Sequence, residues 1–126
     1  MKSKDVSPVD WYLVFALLKF KRDDESKKEL EYEHLWENTY LVKANHPTVA
    51  FDRGLKIAKK DEEFIEFKGH KGQWALVGIK QILPVYEDIE DGSELFWTDI
   101  GKRKKSETDS KVISRQQFLE ILNEEI

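Results

Sequence analysis

The sequence predicts an α+β domain: an antiparallel sheet of four to five strands in the order β-β-α-(β)-β-β-α, with one main helix packed on one face and a short C-terminal helix. Three observations predict it. Apolar segments of strand length recur between turn signals. One segment, opened by Asn45-His46-Pro47, carries its small and apolar residues at helical spacing. Ser114-Arg115-Gln116-Gln117 then reads as a capping box that starts a last helix. At 126 residues without cysteine, the chain has room for one domain, residues 1–126, held by packing rather than by disulfides or thiolate-bound metal.

Residues 1–8 are polar and read as a frayed end closing at Pro8. Trp11 to Phe20 is aromatic or aliphatic on both alternating faces, the pattern of a central strand covered on both sides. The charged stretch Lys21 to Glu33 reads as a solvated hairpin loop with room for one helical turn. Leu35 to Ala44 is the second strand, with Trp36, Tyr40, Val42 and Ala44 on one face and Leu35, Thr39 and Leu41 on the other. Asn45 or His46 can cap a helix, and Pro47 suits its first turn, where no N–H is needed.

That helix spans about Pro47 to Lys60, with Ala50, Gly54 and Ala58 four apart on one stripe flanked by Phe51, Leu55 and Ile57. Glycine inside a helix costs about 1 kcal/mol relative to alanine. Its place in a row of small residues predicts a helix backbone unusually close to the sheet. Phe64–Phe67 is a short strand, Gly69 to Gly72 a turn, and Gln73 to Leu83 the next strand, ended by Pro84 and with a bulge expected at Gly78. Glu90-Asp91-Gly92-Ser93 is a turn, and Glu94 to Ile100 the last strand. Residues 101–111 form a charged, flexible loop before the C-terminal helix, whose Phe118, Ile121 and Leu122 point inward.

Charge narrows the function. A net charge of −4 with mixed signs argues against a general nucleic-acid binder and is compatible with a basic protein partner. The apolar run Trp11–Leu18 is too short to span a bilayer, and no h-region follows the first basic residues, so no membrane association and a cytoplasmic location are expected. Gly101-Lys102-Arg103-Lys104-Lys105 is the one basic run; acids follow it at once and no aromatics interleave for base stacking.

With these residues in view, the chain resembles the bacterial domain-of-unknown-function family 4288. The likeness rests on Trp11-Tyr12 opening an apolar strand, Glu37 ahead of Leu41-Val42-Lys43-Ala44, Ala50 and Ala58 on the helix, Trp74, Gly78-Ile79, and Asp91-Gly92-Ser93-Glu94-Leu95. It covers residues 11 to 97 and leaves out loop 21–34 and tail 101–126. The resemblance implies the fold; it implies no activity and no catalytic residues.

No catalytic constellation stands out. His34, His46 and His70 are scattered among loops and element ends, and a zinc site would need a carboxylate besides them, so no metal site is expected. The acids Glu87, Asp88, Glu90, Asp91 and Glu94 lack the spacing of a calcium loop. Neither a Gly-x-Ser-x-Gly elbow nor a phosphate-cradling glycine loop is present, and no cofactor is expected. Glu37 and Glu94 are acids in strands, where they want partners; Lys43, Lys80 and Arg53 are the candidates. The four tryptophans, Trp11, Trp36, Trp74 and Trp97, fall one per strand, and one or two should surface as a contact patch.

The reading is a non-enzymatic interaction domain that binds a protein partner, or a second copy of itself, through its sheet face and acidic turn. Trp36, Glu37, Asp91, Glu94 and Trp97 are the contact candidates, and an immunity protein neutralising a toxin is one concrete form. The alternative is a small-molecule-binding or enzymatic domain using Glu37, Glu94 and the helix start at His46.

Overall fold

A computed structural model describes residues 3–23 and 32–124. Four antiparallel strands form one sheet in the order β2-β1-β4-β3: β1 (Trp11–Arg22), β2 (Leu35–Lys43), β3 (Phe64–Phe67) and β4 (His70–Pro84). The helix α1 (Pro47–Lys59) lies on one face, here called inner. β1 is central because it alone is apolar on both faces. Tyr12, Val14, Ala16, Leu18 and Phe20 face inward, while Leu13 and Phe15 supply the outer face, and all seven are buried.

The register of β4 shifts twice against β1, between Phe15 and Ala16 and between Leu17 and Leu18. Lys80 and Val77 are the extra residues, with Gly78 between them, so the expected bulge is real and doubled. Such bulges bend a strand and strengthen its twist.

The start of α1 follows the sequence. His46 is the N-cap, its Nδ1 accepting the Thr48 N–H at 3.1 Å, and Pro47 occupies the first turn. Ala50, Gly54 and Ala58 are buried against the sheet. A Cβ on Gly54 would lie 2.6 Å from Cγ1 of Val14, so the close approach inferred from the small-residue stripe is present. Under α1 the core consists of Tyr12, Val14, Val42, Ala44 and Ala50, with Tyr40, Ile57, Ile79 and Ile82 beside it. Further along the same face, Leu18, Phe20 and Trp74 pack with Ile65, Phe67 and Leu76. On the outer face Leu13, Phe15 and Val85 gather with Val9, Trp11 and Leu83.

Four expectations need correction. The N-terminal end is tied down rather than frayed at Ser7. This buried side chain donates to the Val85 carbonyl and accepts from the Val9 and Trp11 N–H groups, both at 3.2 Å, while its own N–H donates to the Tyr12 hydroxyl at 2.9 Å. Residues 94–100 form no strand. β3 pairs with β4 only over His70–Gln73, yet this segment does not add to the remaining edge and instead runs over the outer face, with Phe96 set edge-on to Phe15. Residues 101–111 are not all loop, since they contain a helical turn, α2 (Lys105–Thr108), and a 3-10 turn, Asp109–Lys111. The last helix, α3 (Arg115–Glu124), forms behind its capping box, Gln117 N–H to Ser114 Oγ at 3.1 Å and Ser114 N–H to Gln117 Oε1 at 2.8 Å. Its Phe118, Ile121 and Leu122 are exposed rather than inward, since among the described residues neither a strand nor α1 packs closely on α3.

Most of loop 21–34 falls on residues 24–31, outside the described residues; β1 itself extends to Arg22. Among the described residues no helix is long and apolar enough to cross a membrane.

Candidate functional site

The outer face carries the concavity that joins most of the chemistry. Glu37 of β2 sits beside Leu17 of β1, and Lys80 is the extra residue of the first bulge in β4. Their side chains reach across β1, and Lys80 Nζ lies 2.6 Å from Glu37 Oε1. Next to this ion pair opens a cleft of about 530 Å³ lined by Phe15, Gln81, Leu83 and Tyr86 on the sheet side and by Phe96, Trp97 and Asp99 on the other. Phe96 closes on Phe15 with ring centroids 5.7 Å apart at 84°. Trp97 stands at the rim, 68% exposed. A charge pair at one end and aromatic walls elsewhere suit an amphipathic guest.

Beside the cleft the chain makes the acidic turn. Ser93 holds it, its Oγ accepting the Glu90 N–H at 2.9 Å and donating to the Asp88 carbonyl. The Ser93 N–H returns to the Glu90 carbonyl at 3.0 Å, and Gly92 supplies a φ of 88°, which other residues adopt at a cost. Glu87 Oε2 accepts the Glu94 N–H at 2.8 Å, which commits that carboxylate to the turn. Asp91 and Glu94 are exposed.

Of the five sequence candidates, the structure brings Glu37 and Trp97 to one cleft. Trp36 lies on the inner face, stacked on Trp74 at 4.1 Å and 23°, within an aromatic group that includes Phe67 and His34. Asp91 and Glu94 belong to the turn and do not line the cleft. Lys80 is the partner found by Glu37, one of the three cations named for it. The cleft that Glu37 lines includes neither Glu94 nor His46, so the three residues of the alternative reading do not share it. Sequence reasoning missed Phe15 and Phe96 as cleft walls. The signal available was Phe96-Trp97, two adjacent aromatics in a segment that has no alternation to spare for an outward face.

The tryptophans divide as expected in part. Trp74 is buried, with its Nε1 lacking a hydrogen-bond partner, Trp11 is half-buried, and Trp36 and Trp97 are exposed; Trp97 lies off the sheet. A second concavity of about 460 Å³ lies at the strand ends, lined by Lys19, Lys21, Lys68, His34, His70 and Phe67 among others. On the inner face, Tyr40 donates to Asp61 Oδ2 and accepts from Asn38 Nδ2 at 3.1 Å. Burial first, and then the hydrogen bond to the Asp61 carboxylate, push the Tyr40 hydroxyl above its ordinary value.

Fold and site together define a small α+β domain with one sheet face covered by a helix and the other carrying an open, partly aromatic cleft. The family model described as Domain of unknown function (DUF4288) matches residues 11–97, and the chain belongs to that family. The matched stretch runs from the first residue of β1 to Trp97 at the cleft rim. No curated protein and no solved structure matches the chain.

Proposed function

We propose that this domain is a non-enzymatic protein-interaction module whose partner docks on the outer sheet face. The partner places an apolar side chain in the cleft beside Trp97 and meets the acidic turn 87–94 with basic residues. One observation carries the reading: Leu95, Phe96, Trp97 and Ile100 are all exposed along one segment that walls an open cleft. Exposed aromatics around a concavity are what interface hot spots are made of. Neutralisation of a basic toxin, as an immunity protein does, is one concrete form of this activity; rescue by co-expression with a neighbouring toxin gene tests that form.

The test of the general reading compares the tagged protein with its Trp97→Ser and Val77→Ser variants in affinity capture from nuclease-treated lysate. Val77 is an exposed apolar residue that does not line the cleft. A partner recovered in stoichiometric amount by the parent and by Val77→Ser should fall at least about tenfold with Trp97→Ser, the factor that corresponds to about 1.4 kcal/mol. Equal recovery by all three, or recovery of the protein alone, refutes the reading. The cleft volume of about 530 Å³ also falls in the range that holds small ligands, and this favours a second reading, a metabolite-binding domain. Quenching of Trp97 fluorescence by a metabolite, absent in Trp97→Ser, would establish it.

A further inference from the structure

The sheet has two edges, β2 on one side and β3 with the unpaired part of β4 on the other; β2 is the one that runs its full length in unbroken register with the central strand. The main-chain bonds Ala44 N–H to Asp10 and Phe20 N–H to His34 carbonyl show that the even-numbered residues of β2 turn their backbone groups toward β1. Leu35, Glu37, Thr39, Leu41 and Lys43 therefore turn theirs outward, and Arg53 Nη1 donates to the Lys43 carbonyl from that side. Edges of this kind are normally blunted by proline, bulges, short length or charged side chains, and of these β2 carries only the charges of Glu37 and Lys43. β2 has nine residues in unbroken register with β1, and no proline. Its side chains are unusually apolar for an edge: Leu35, Trp36 and Leu41 are 48%, 43% and 43% exposed.

We infer that two copies of this chain pair through β2, antiparallel and centred on Asn38, to form one continuous sheet of both copies. The register follows from the residues. Antiparallel pairing of the outward-facing backbone groups requires odd-numbered residues to oppose odd-numbered ones. Centring on Asn38 then sets Leu35 against Leu41 of the second copy and Glu37 against Thr39, with Trp36 against Tyr40 on the inner side. One step further out, Glu33, whose Oε1 lies 3.6 Å from Lys19 Nζ of its own chain, faces Lys43 of the second copy, so the pairing joins opposite charges at both ends of the two-fold. The neighbouring registers fail this test. Centring on Glu37 opposes two like charges, and centring on Thr39 sets both leucines against charged residues. Self-complementarity of one patch is what an isologous dimer needs. The inference does not rest on the outer-face cleft, with which it shares only Glu37.

Because the chain has no cysteine, a single one reports the register. Asn38→Cys puts two thiols across a non-hydrogen-bonded pair, where Cα atoms are about 4.5 Å apart, within the range that a disulfide spans. Under mild oxidation Asn38→Cys should form covalent dimer about a hundredfold faster than the exposed control Val77→Cys, which reacts only on collision. Thr39→Pro removes an outward N–H and no bond to β1. It should turn a concentration-dependent dimer into a monomer in sedimentation equilibrium while far-UV circular dichroism stays unchanged. Equal cross-linking of the two cysteine variants, a parent monomeric at every concentration, or a Thr39→Pro protein that folds and still dimerises would overturn the inference. If Thr39→Pro does not fold, Leu41→Lys stands in for it, with loss of dimer expected and retention refuting. Loss of partner capture by Trp97→Ser with dimerisation intact would separate this edge from the cleft.

Discussion

Replacing Gly54 with alanine probes how the helix sits on the sheet. Alanine is about 1 kcal/mol better than glycine inside a helix, so a free helix would gain from the change. Here the new Cβ would meet Val14 at 2.6 Å from Cγ1, 3.1 Å from Cγ2 and 3.2 Å from Cβ. Carbon atoms pack best at about 3.5–4.0 Å, so the nearest contact is about 1 Å too short. Val14 is fully buried beside Tyr12, Val42 and Ala50 and has no room to retreat. Either α1 lifts, loosening Ala50 and Ala58, or Val14 leaves its rotamer; overpacking of this sort costs about 1–3 kcal/mol. The overlap lies with a β-branched side chain on the central strand, so the cost should fall in the upper half of that range. The net result is a loss of about 1–2 kcal/mol, or a Tm lower by roughly 4–8 °C for a domain of this size. Urea unfolding followed by tryptophan fluorescence measures it. In a Val14→Ala background both Cγ atoms are gone and only the 3.2 Å approach to Cβ remains, so the same substitution should cost little or stabilise, a coupling of about 1 kcal/mol or more. A Gly54→Ala protein more stable than the parent by the full helix-propensity gain would refute the close approach.

Other consequences follow from single groups. Ser7→Ala leaves the Val85 carbonyl and the Val9 and Trp11 N–H groups without their shared partner at a buried site, so urea unfolding should show a loss of about 1–3 kcal/mol. Because the Tyr40 pKa is raised on folding, the neutral phenol is favoured in the folded state. The stabilisation is fully present below the unfolded value of about 10 and is lost as pH rises through the folded one. Tyr40→Phe should therefore show a shallower fall in Tm on the alkaline side than the parent, and parallel curves would refute the assignment. Ser114→Ala removes the cap of α3, worth about 1 kcal/mol, from a helix on which, among the described residues, neither a strand nor α1 packs closely. Far-UV circular dichroism should show lost helicity while the urea midpoint of the core stays where it was.

The elements that sequence made legible are those whose chemistry is local. The His46-Pro47 start of α1, the Ser114/Gln117 capping box and the serine-held turn at residues 90–93 each depend on neighbours within a few residues, and each is present. β1 was legible as central because apolar residues on both faces have one structural use. What could not be read was where non-local contacts end. Glu94 to Ile100 has the apolar and aromatic content of a strand, yet it leaves the β4 edge beyond Gln73 unpaired and lays Phe96 on Phe15 across the outer face. The amphipathic stripe of α3 reads as inward-facing whether or not a surface lies against it. For the site, the Glu37–Lys80 pair was within reach of reasoning about lone strand acids. Its location was not, because it depends on a bulge that inserts Lys80 and turns it toward β2. Trp36 and Glu37 are adjacent in sequence and so point to opposite faces, which is why one of them left the cleft.

The distribution of exposed apolar residues separates folding from binding. The core closes at Val85, which is fully buried; from Tyr86 to Asn123 no side chain is buried. Yet that stretch holds Phe96, Trp97, Ile113, Phe118 and Ile121 in exposed positions, and burying such a side chain is worth about 1.5–3 kcal/mol. Residues that stay outside the finished core contribute little to folding, and if the domain binds a partner as proposed they are a reserve of apolar surface for that contact. The family match divides this reserve, since the cleft wall at Phe96 and Trp97 lies inside residues 11–97 and α3 lies beyond them. A partner that reads the cleft reads the shared domain, and one that reads α3 reads what this chain adds to it. Deleting residues 101–126 distinguishes the two. If the cleft is the docking site, the truncated protein retains the captured partner; if it loses the partner while Trp97→Ser keeps it, the binding surface is α3 and the cleft assignment fails.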